Sequence, residues 1–261
     1  SCETTETIGT HKTIDAVYNK STTASTFVDR HGKMIALDAT DINALTTRID
    51  RLIFTGNRII VVDRRGNKLI AFDNNGHYVS STAAIIGNGH NEYIRLADAA
   101  FDKDSKLIYA FCDAPYCVML LDTDLKLKKK IPLDYSLSDM AMDSKYVYGI
   151  RRNKESGSEL IAIDKDDLTS DPIVLHTCSS YVNGLGSIGK SITSTDGGIL
   201  ACLPFCNTIY KIRNGTTEQT ITIDLGDRWS TDLDKGQDFR QFMKKDERKS
   251  WIIQNMACSD S

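Results

Sequence analysis

Four times along this chain, a short run of β-branched and aliphatic residues closes on residues that favour tight turns. Leu69-Ile-Ala-Phe-Asp73 runs into Asn74-Asn75-Gly76, and Val118-Met-Leu-Leu-Asp122 into Thr123-Asp124. Leu160-Ile-Ala-Ile-Asp164 runs into Lys165-Asp166-Asp167, and Ile209-Tyr-Lys-Ile-Arg213 into Asn214-Gly215. Such runs are too short for a 3.6-residue period and read as strands. They recur every ~40–50 residues, the period of a four-stranded propeller blade.

Two further strands precede each of them. Arg58–Val62, Leu107–Phe111, Tyr146–Ile150 and Ile199–Cys202 fill one slot. Leu52–Phe54, Ala99–Phe101, Met140–Met142 and Ser191–Thr193 fill the innermost one, where small and medium side chains suit a crowded axis. Outer strands carry more charge, as in Leu125-Lys-Leu-Lys-Lys129. A fifth unit begins at Phe239–Met243 and Ser250–Ile253. Thr13–Val17 and Lys33–Leu37 are expected to complete it, because a ring that mixes its terminal strands leaves no exposed edge. The expected fold is an all-β propeller of four-stranded blades, five of them countable. Residues 27–261 form the propeller, and residues 1–26 form a tether and leading strand.

The 261 residues carry 32 Lys and Arg against 35 Asp and Glu, a formal charge of −3. That balance argues against nucleic acid as a partner, since binding it needs a basic face that releases counterions. No run reaches the ~18 apolar residues of a membrane span. Ser1-Cys2, followed by Glu3-Thr-Thr-Glu6, looks like the start of a mature lipoprotein with Cys2 lipidated. Membrane contact is then expected only through that anchor, at the periplasm or cell surface. In such a compartment Cys112 with Cys117, and Cys202 with Cys206, are possible disulfides across short proline-containing loops, the alternative being small buried side chains. Neither cysteine nor histidine spacing points to a metal, and no cofactor is implied.

Residues 34–102 resemble the six-bladed, NHL-like propeller lipoproteins of gut Bacteroidetes, a family of unknown function. The resemblance rests on Ile35-Ala-Leu-Asp-Ala39, Val62-Asp63, Phe72-Asp-Asn-Asn-Gly76 and Ile86-Gly-Asn-Gly-His-Asn-Glu-Tyr93. The last segment is similar to the family's Gly-x-Gly-Pro-x-Glu-Tyr loop, with His90 in place of proline. It implies six blades and carries no catalytic residues.

Aligning the inner strands puts a charged residue first in each: Arg51, Asp98, Asp139, Lys190 and Arg240. By symmetry these ring one channel mouth and would grip an anionic or zwitterionic ligand through arginine forks; solvated, self-paired strand starts are the alternative. Asp98 and Asp139 are the acid/base candidates should the chain be an enzyme. The Gly87–Tyr93 loop adds His90, Glu92 and Tyr93 as ligand candidates, or else is a blade connector with a packed tyrosine. The leading expectation is a non-enzymatic binding or scaffolding protein of the bacterial envelope, taking a glycan, peptide or other small anionic molecule. A propeller lyase or hydrolase, and a protein–protein interaction module, are the alternatives.

Overall fold

A computed structural model describes residues 9–15, 34–153, 157–178 and 191–226. The described residues form four sheets of four antiparallel strands, each a simple up-and-down meander. Blade 1 contains β2 (Arg51–Phe54), β3 (Ile59–Asp63), β4 (Lys68–Phe72) and β5 (Tyr78–Ser81). Blade 2 contains β6 (Arg95–Asp102), β7 (Leu107–Ala114), β8 (Tyr116–Leu121) and β9 (Leu127–Pro132). Blade 3 contains β10 (Ser138–Met142), β11 (Tyr146–Asn153), β12 (Gly157–Asp164) and β13 (Ile173–Cys178). Blade 4 contains β14 (Ile192–Thr195), β15 (Gly198–Cys202), β16 (Thr208–Arg213) and β17 (Thr216–Asp224). The chain is therefore an all-β propeller, with the strand order within each blade that the repeat predicted.

The blade count is four among the described residues, not five or six. The segments expected to open a fifth blade, Phe239–Met243 and Ser250–Ile253, lie outside the described residues. The N-terminal expectation is corrected. β1 (Thr10–Asp15) lies parallel to β17, Thr10 opposite Gln219 and Asp15 opposite Asp224, and so widens blade 4 to five strands. Residues 34–40 form no strand either. They run over blade 1, where the Asp38 N–H donates to the Gly76 carbonyl at 2.7 Å. Gly76, with φ +90°, leaves space there that a Cβ would take from the Ala36 carbonyl.

Alternation along each strand sends one set of side chains to each neighbouring blade. Ile60, Val62, Leu69 and Ala71 meet Ala99, Ile108, Ala110 and Met119 between blades 1 and 2. Ala100, Tyr109, Phe111 and Val118 face Met140, Met142, Val147 and Ile161 between blades 2 and 3. Tyr148, Ile150, Leu160 and Ala162 face Ile192, Ile199, Ala201 and Tyr210 between blades 3 and 4. Both faces of a central strand are buried, which is why β3 is apolar from Ile59 to Val62 instead of alternating. The remaining face of blade 1 is covered by Ile35, Leu37 and Ala44 from the segment that precedes it.

Polar ties repeat at the turns where inner strands end. Arg58 of blade 1 pairs with Asp124 of blade 2 at 2.9 Å, and Asp102 of blade 2 with Lys165 of blade 3 at 2.8 Å. Asp143 of blade 3 accepts from the Asn214 N–H of blade 4 at 2.7 Å and from the Tyr148 hydroxyl, which itself accepts the Gly215 N–H at 2.8 Å. Each outer turn thus reaches back to the preceding blade's inner turn and fixes the angle between sheets.

Candidate functional site

At the opposite end, where the inner strands begin, the register predicted from sequence converges. Arg51 opens β2 and extends across two blades. One terminal nitrogen donates to the Ala99 carbonyl at 2.9 Å and the Met140 carbonyl at 2.7 Å, and the other meets the Asp98 carboxylate at 2.7 Å. Asp98 also accepts the Ala99 and Met140 N–H groups, each at 2.8 Å. Arg51 and Asp98 are therefore engaged with each other and with blade 3. Asp139 is buried at the next position with its Oδ1 3.5 Å from the Arg64 guanidinium. Lys190 and Arg240 lie outside the described residues, as does Cys2.

The backbone leaves regular strand register at both carboxylates. β6 shifts register between Leu96 and Asp98, and β10 shifts between Ser138 and Met140. Asp139, in the β10 bulge, takes a left-handed φ of +48°. Such bulges re-aim a side chain locally, which an alternating strand pattern does not reveal.

Beside the starts of β6 and β10 is a cavity of about 490 Å³ whose wall carries five arginines: Arg48, Arg64, Arg65, Arg95 and Arg152. They come from the lead into β2, the β3–β4 turn, the start of β6 and the end of β11. β7 and β11 extend past the shorter β3 and β15, which raises Asp113 and Arg152 into the wall. Arg48 pairs with Asp50, and Arg95 with Asp113 at 2.5 Å, while Arg64 lies over Asp139. Arg65 and Arg152 are exposed and form no ion pair among the described residues. The wall thus carries five guanidinium groups and one carboxylate, that of Asp113, on a chain whose formal charge is −3.

Two carboxylates hold the arginine turn in place. Asp63 is fully buried and accepts from the Thr46 hydroxyl at 2.9 Å, the Thr47 N–H at 2.7 Å, the Thr47 hydroxyl at 2.6 Å and the Gly66 N–H at 2.7 Å. Burial pushes its pKa up, but these donors together outweigh burial and hold it below the usual carboxylate value. Asp50 accepts the Arg64 N–H at 2.9 Å. The guanidinium groups of Arg64 and Arg65 therefore stand on a fixed backbone.

The Gly87–Tyr93 loop has a structural part. Gly87 donates to the Tyr93 carbonyl at 2.9 Å, Gly89 donates to Glu92 at 2.7 Å, and Lys130 clamps the carbonyls of His90 and Glu92 at 3.0 and 2.6 Å. Tyr93 is buried with its hydroxyl 2.8 Å from the Asn67 carbonyl, and burial raises its pKa. His90, Glu92 and Tyr93 are not part of the cavity wall.

The cysteine pairing is also corrected in part. Cys112 and Cys117 lie directly opposite each other on β7 and β8 as free, buried thiols. Cys202 is free, and its Sγ donates to the Cys206 carbonyl at 3.2 Å. Cys206 is disulfide-bonded while Cys202 is free, so the 202–206 bridge does not form.

The sequence alignment singled out Arg51, Asp98 and Asp139, none of which lines the cavity, and missed the arginines that do. Arg48, Arg64, Arg65 and Arg152 fall outside the aligned register. The doublet Arg64-Arg65 before Gly66, in a turn beside the inner face, was the available signal.

The fold and site together define a β-propeller with an arginine-lined cavity where its inner strands begin. Over residues 11–261 the chain matches the family described as a domain of unknown function, DUF4934, and it belongs to that family. No functionally curated protein matches it. Among solved structures it is similar to a Bacteroides fragilis protein described as exported, with 16% identity and a TM-score of 0.64 over 93% of this chain and 66% of that one. This chain thus spans just under two thirds of that structure's length. It is more distantly similar to a Bacteroides uniformis protein described as a 6-phosphogluconolactonase, at 18% identity and TM-score 0.41 over 67% of this chain and 55% of that one. The Pan2 WD40 domain of Neurospora crassa shares 11% identity, TM-score 0.45, over 67% of this chain and 52% of that one.

Proposed function

We propose that this protein is a non-enzymatic binding protein whose arginine-lined cavity holds a small ligand bearing two or more anionic groups, as an acidic glycan does. The observation that carries this reading is the convergence of five arginines on one cavity, with Arg65 and Arg152 exposed and without a carboxylate partner among the described residues. A guanidinium presents a planar fork matched to carboxylate, sulfate or phosphate oxygens, so two of them, Arg65 on the β3–β4 turn and Arg152 on β11, favour a ligand with two anionic groups at a set spacing. Asp98 supports a binding role over catalysis, since both of its oxygens already accept hydrogen bonds within the fold. The reading extends to the bacterial cell envelope with Cys2 as a lipid anchor, supported by the acidic tether after Cys2 and by a structural relative described as exported.

The test is titration calorimetry against uronic-acid and sulfated oligosaccharides, with neutral oligosaccharides of equal length as controls. Binding of an acidic member that weakens in Arg65→Ala and Arg152→Ala supports the reading. Equal response to acidic and neutral sugars, or acidic binding untouched by both substitutions, overturns it.

A further inference from the structure

The hairpin that carries Asp113 into the cavity has a cysteine on each strand at the same level. Cys112 of β7 pairs in register with Cys117 of β8, and the next pair outward is Asp113 with Tyr116. Directly opposed residues in antiparallel strands have Cα atoms roughly 4.5–5.5 Å apart, inside the ~4.4–6.8 Å window that a disulfide needs. We infer that Cys112 and Cys117 are a dithiol–disulfide site, closed by exchange with a disulfide oxidant and lying at the base of the hairpin that walls the arginine cavity.

The two thiols are hydrogen-bonded to each other, and the nearby Lys130 ammonium favours the thiolate at either sulfur. In the first step the thiolate of one cysteine attacks one sulfur of the oxidant's disulfide; an S–S bond forms, the oxidant's own S–S bond breaks, and a thiolate leaves. The other cysteine then gives its proton to a departing thiolate and attacks the sulfur of the first, expelling the second. The protein loses two electrons and two protons, and the oxidant becomes two thiols.

Both side chains are buried beneath a tip whose Pro115 and Tyr116 are exposed, so the oxidant reaches them when this short tip opens or while the chain folds. The inference is independent of what the cavity binds.

Oxidised glutathione is added to native protein and, separately, during refolding, and free thiols are then alkylated in denaturant. Trypsin releases residues 107–126 as one peptide holding both cysteines. The expected peptide is lighter by two hydrogens, unalkylated, and gains two alkyl groups only after reduction. Alkylation of both cysteines under both conditions, or a link from either to any other cysteine, overturns the inference.

Discussion

Arg51 reaches out of blade 1 to place one guanidinium nitrogen 2.7 Å from Asp98 of blade 2 and another 2.7 Å from the Met140 carbonyl of blade 3. A charge pair buried between apolar sheets is stabilising only if both partners are present, because each alone is a desolvated charge. Arg51→Met is expected to cost about 3–5 kcal/mol in denaturant unfolding, as is Asp98→Leu. The double variant is expected to recover much of that loss. A double-mutant cycle with no coupling would mean that the two groups act independently, contrary to their geometry.

The arginine turn offers a second test. Asp63→Ala leaves the Thr47 and Gly66 N–H groups without their acceptor and is expected to cost about 1–3 kcal/mol. It should also weaken anion binding, because the backbone of Arg64 and Arg65 loses its anchor. The pKa of Asp63 is lowered in the folded state, so its contribution is present above the unfolded value near ~4 and is lost as pH falls through the folded one. Wild type should therefore lose stability below about pH 4 more steeply than the variant, as read by thermal unfolding across pH.

Where the chain was legible, it was so for a physical reason. A blade must bury both faces of its inner strands, and that requirement writes apolar runs punctuated by turns; β4, β8, β12 and β16 appear where those runs predict them. The charged first position of the inner strands was equally legible, and Arg51 and Asp98 do meet. Their pairing was not legible, since it depends on bulges in β6 and β10 that have no compositional mark. Ring closure was misread at the N-terminus because Thr10–Asp15, polar and exposed along its length, can extend any open edge, and pairing with β17 is decided by proximity. The cavity wall was missed because its arginines lie on turns and strand extensions, outside the repeat that organised the alignment.

Binding at the cavity has a salt signature. If Arg65 and Arg152 each contribute a charge-assisted hydrogen bond, removing either should weaken an acidic ligand by about tenfold. Both are exposed, so screening also acts on them. Affinity is expected to fall steadily between low and physiological ionic strength for wild type, and much less for the Arg65→Ala, Arg152→Ala double variant. Calorimetry at several salt concentrations reads the slopes, and identical slopes would remove these arginines from the site.

His176 sets a pH window of the opposite kind from a surface ion pair. It is buried between blades 3 and 4, stacked on Tyr210 at 3.7 Å, with Nε2 2.7 Å from the Thr217 hydroxyl. Nδ1 has no hydrogen-bond partner among the described residues. Burial lowers its pKa from 6.5 to about 4, so the folded protein keeps the ring neutral where the unfolded chain would already protonate it. The unfolded state therefore binds more protons between about pH 6.5 and 4, and stability falls as pH drops through that window. A shift of this size corresponds to about 3 kcal/mol, complete near pH 4 and flat below it for this group. His176→Phe keeps the stacking on Tyr210 but cannot titrate. The difference in unfolding free energy, wild type minus variant, should decline from pH 7 to pH 4 and then level off. A difference that stays constant across this range would show that His176 does not carry the acid sensitivity, and that the carboxylates titrating below it do.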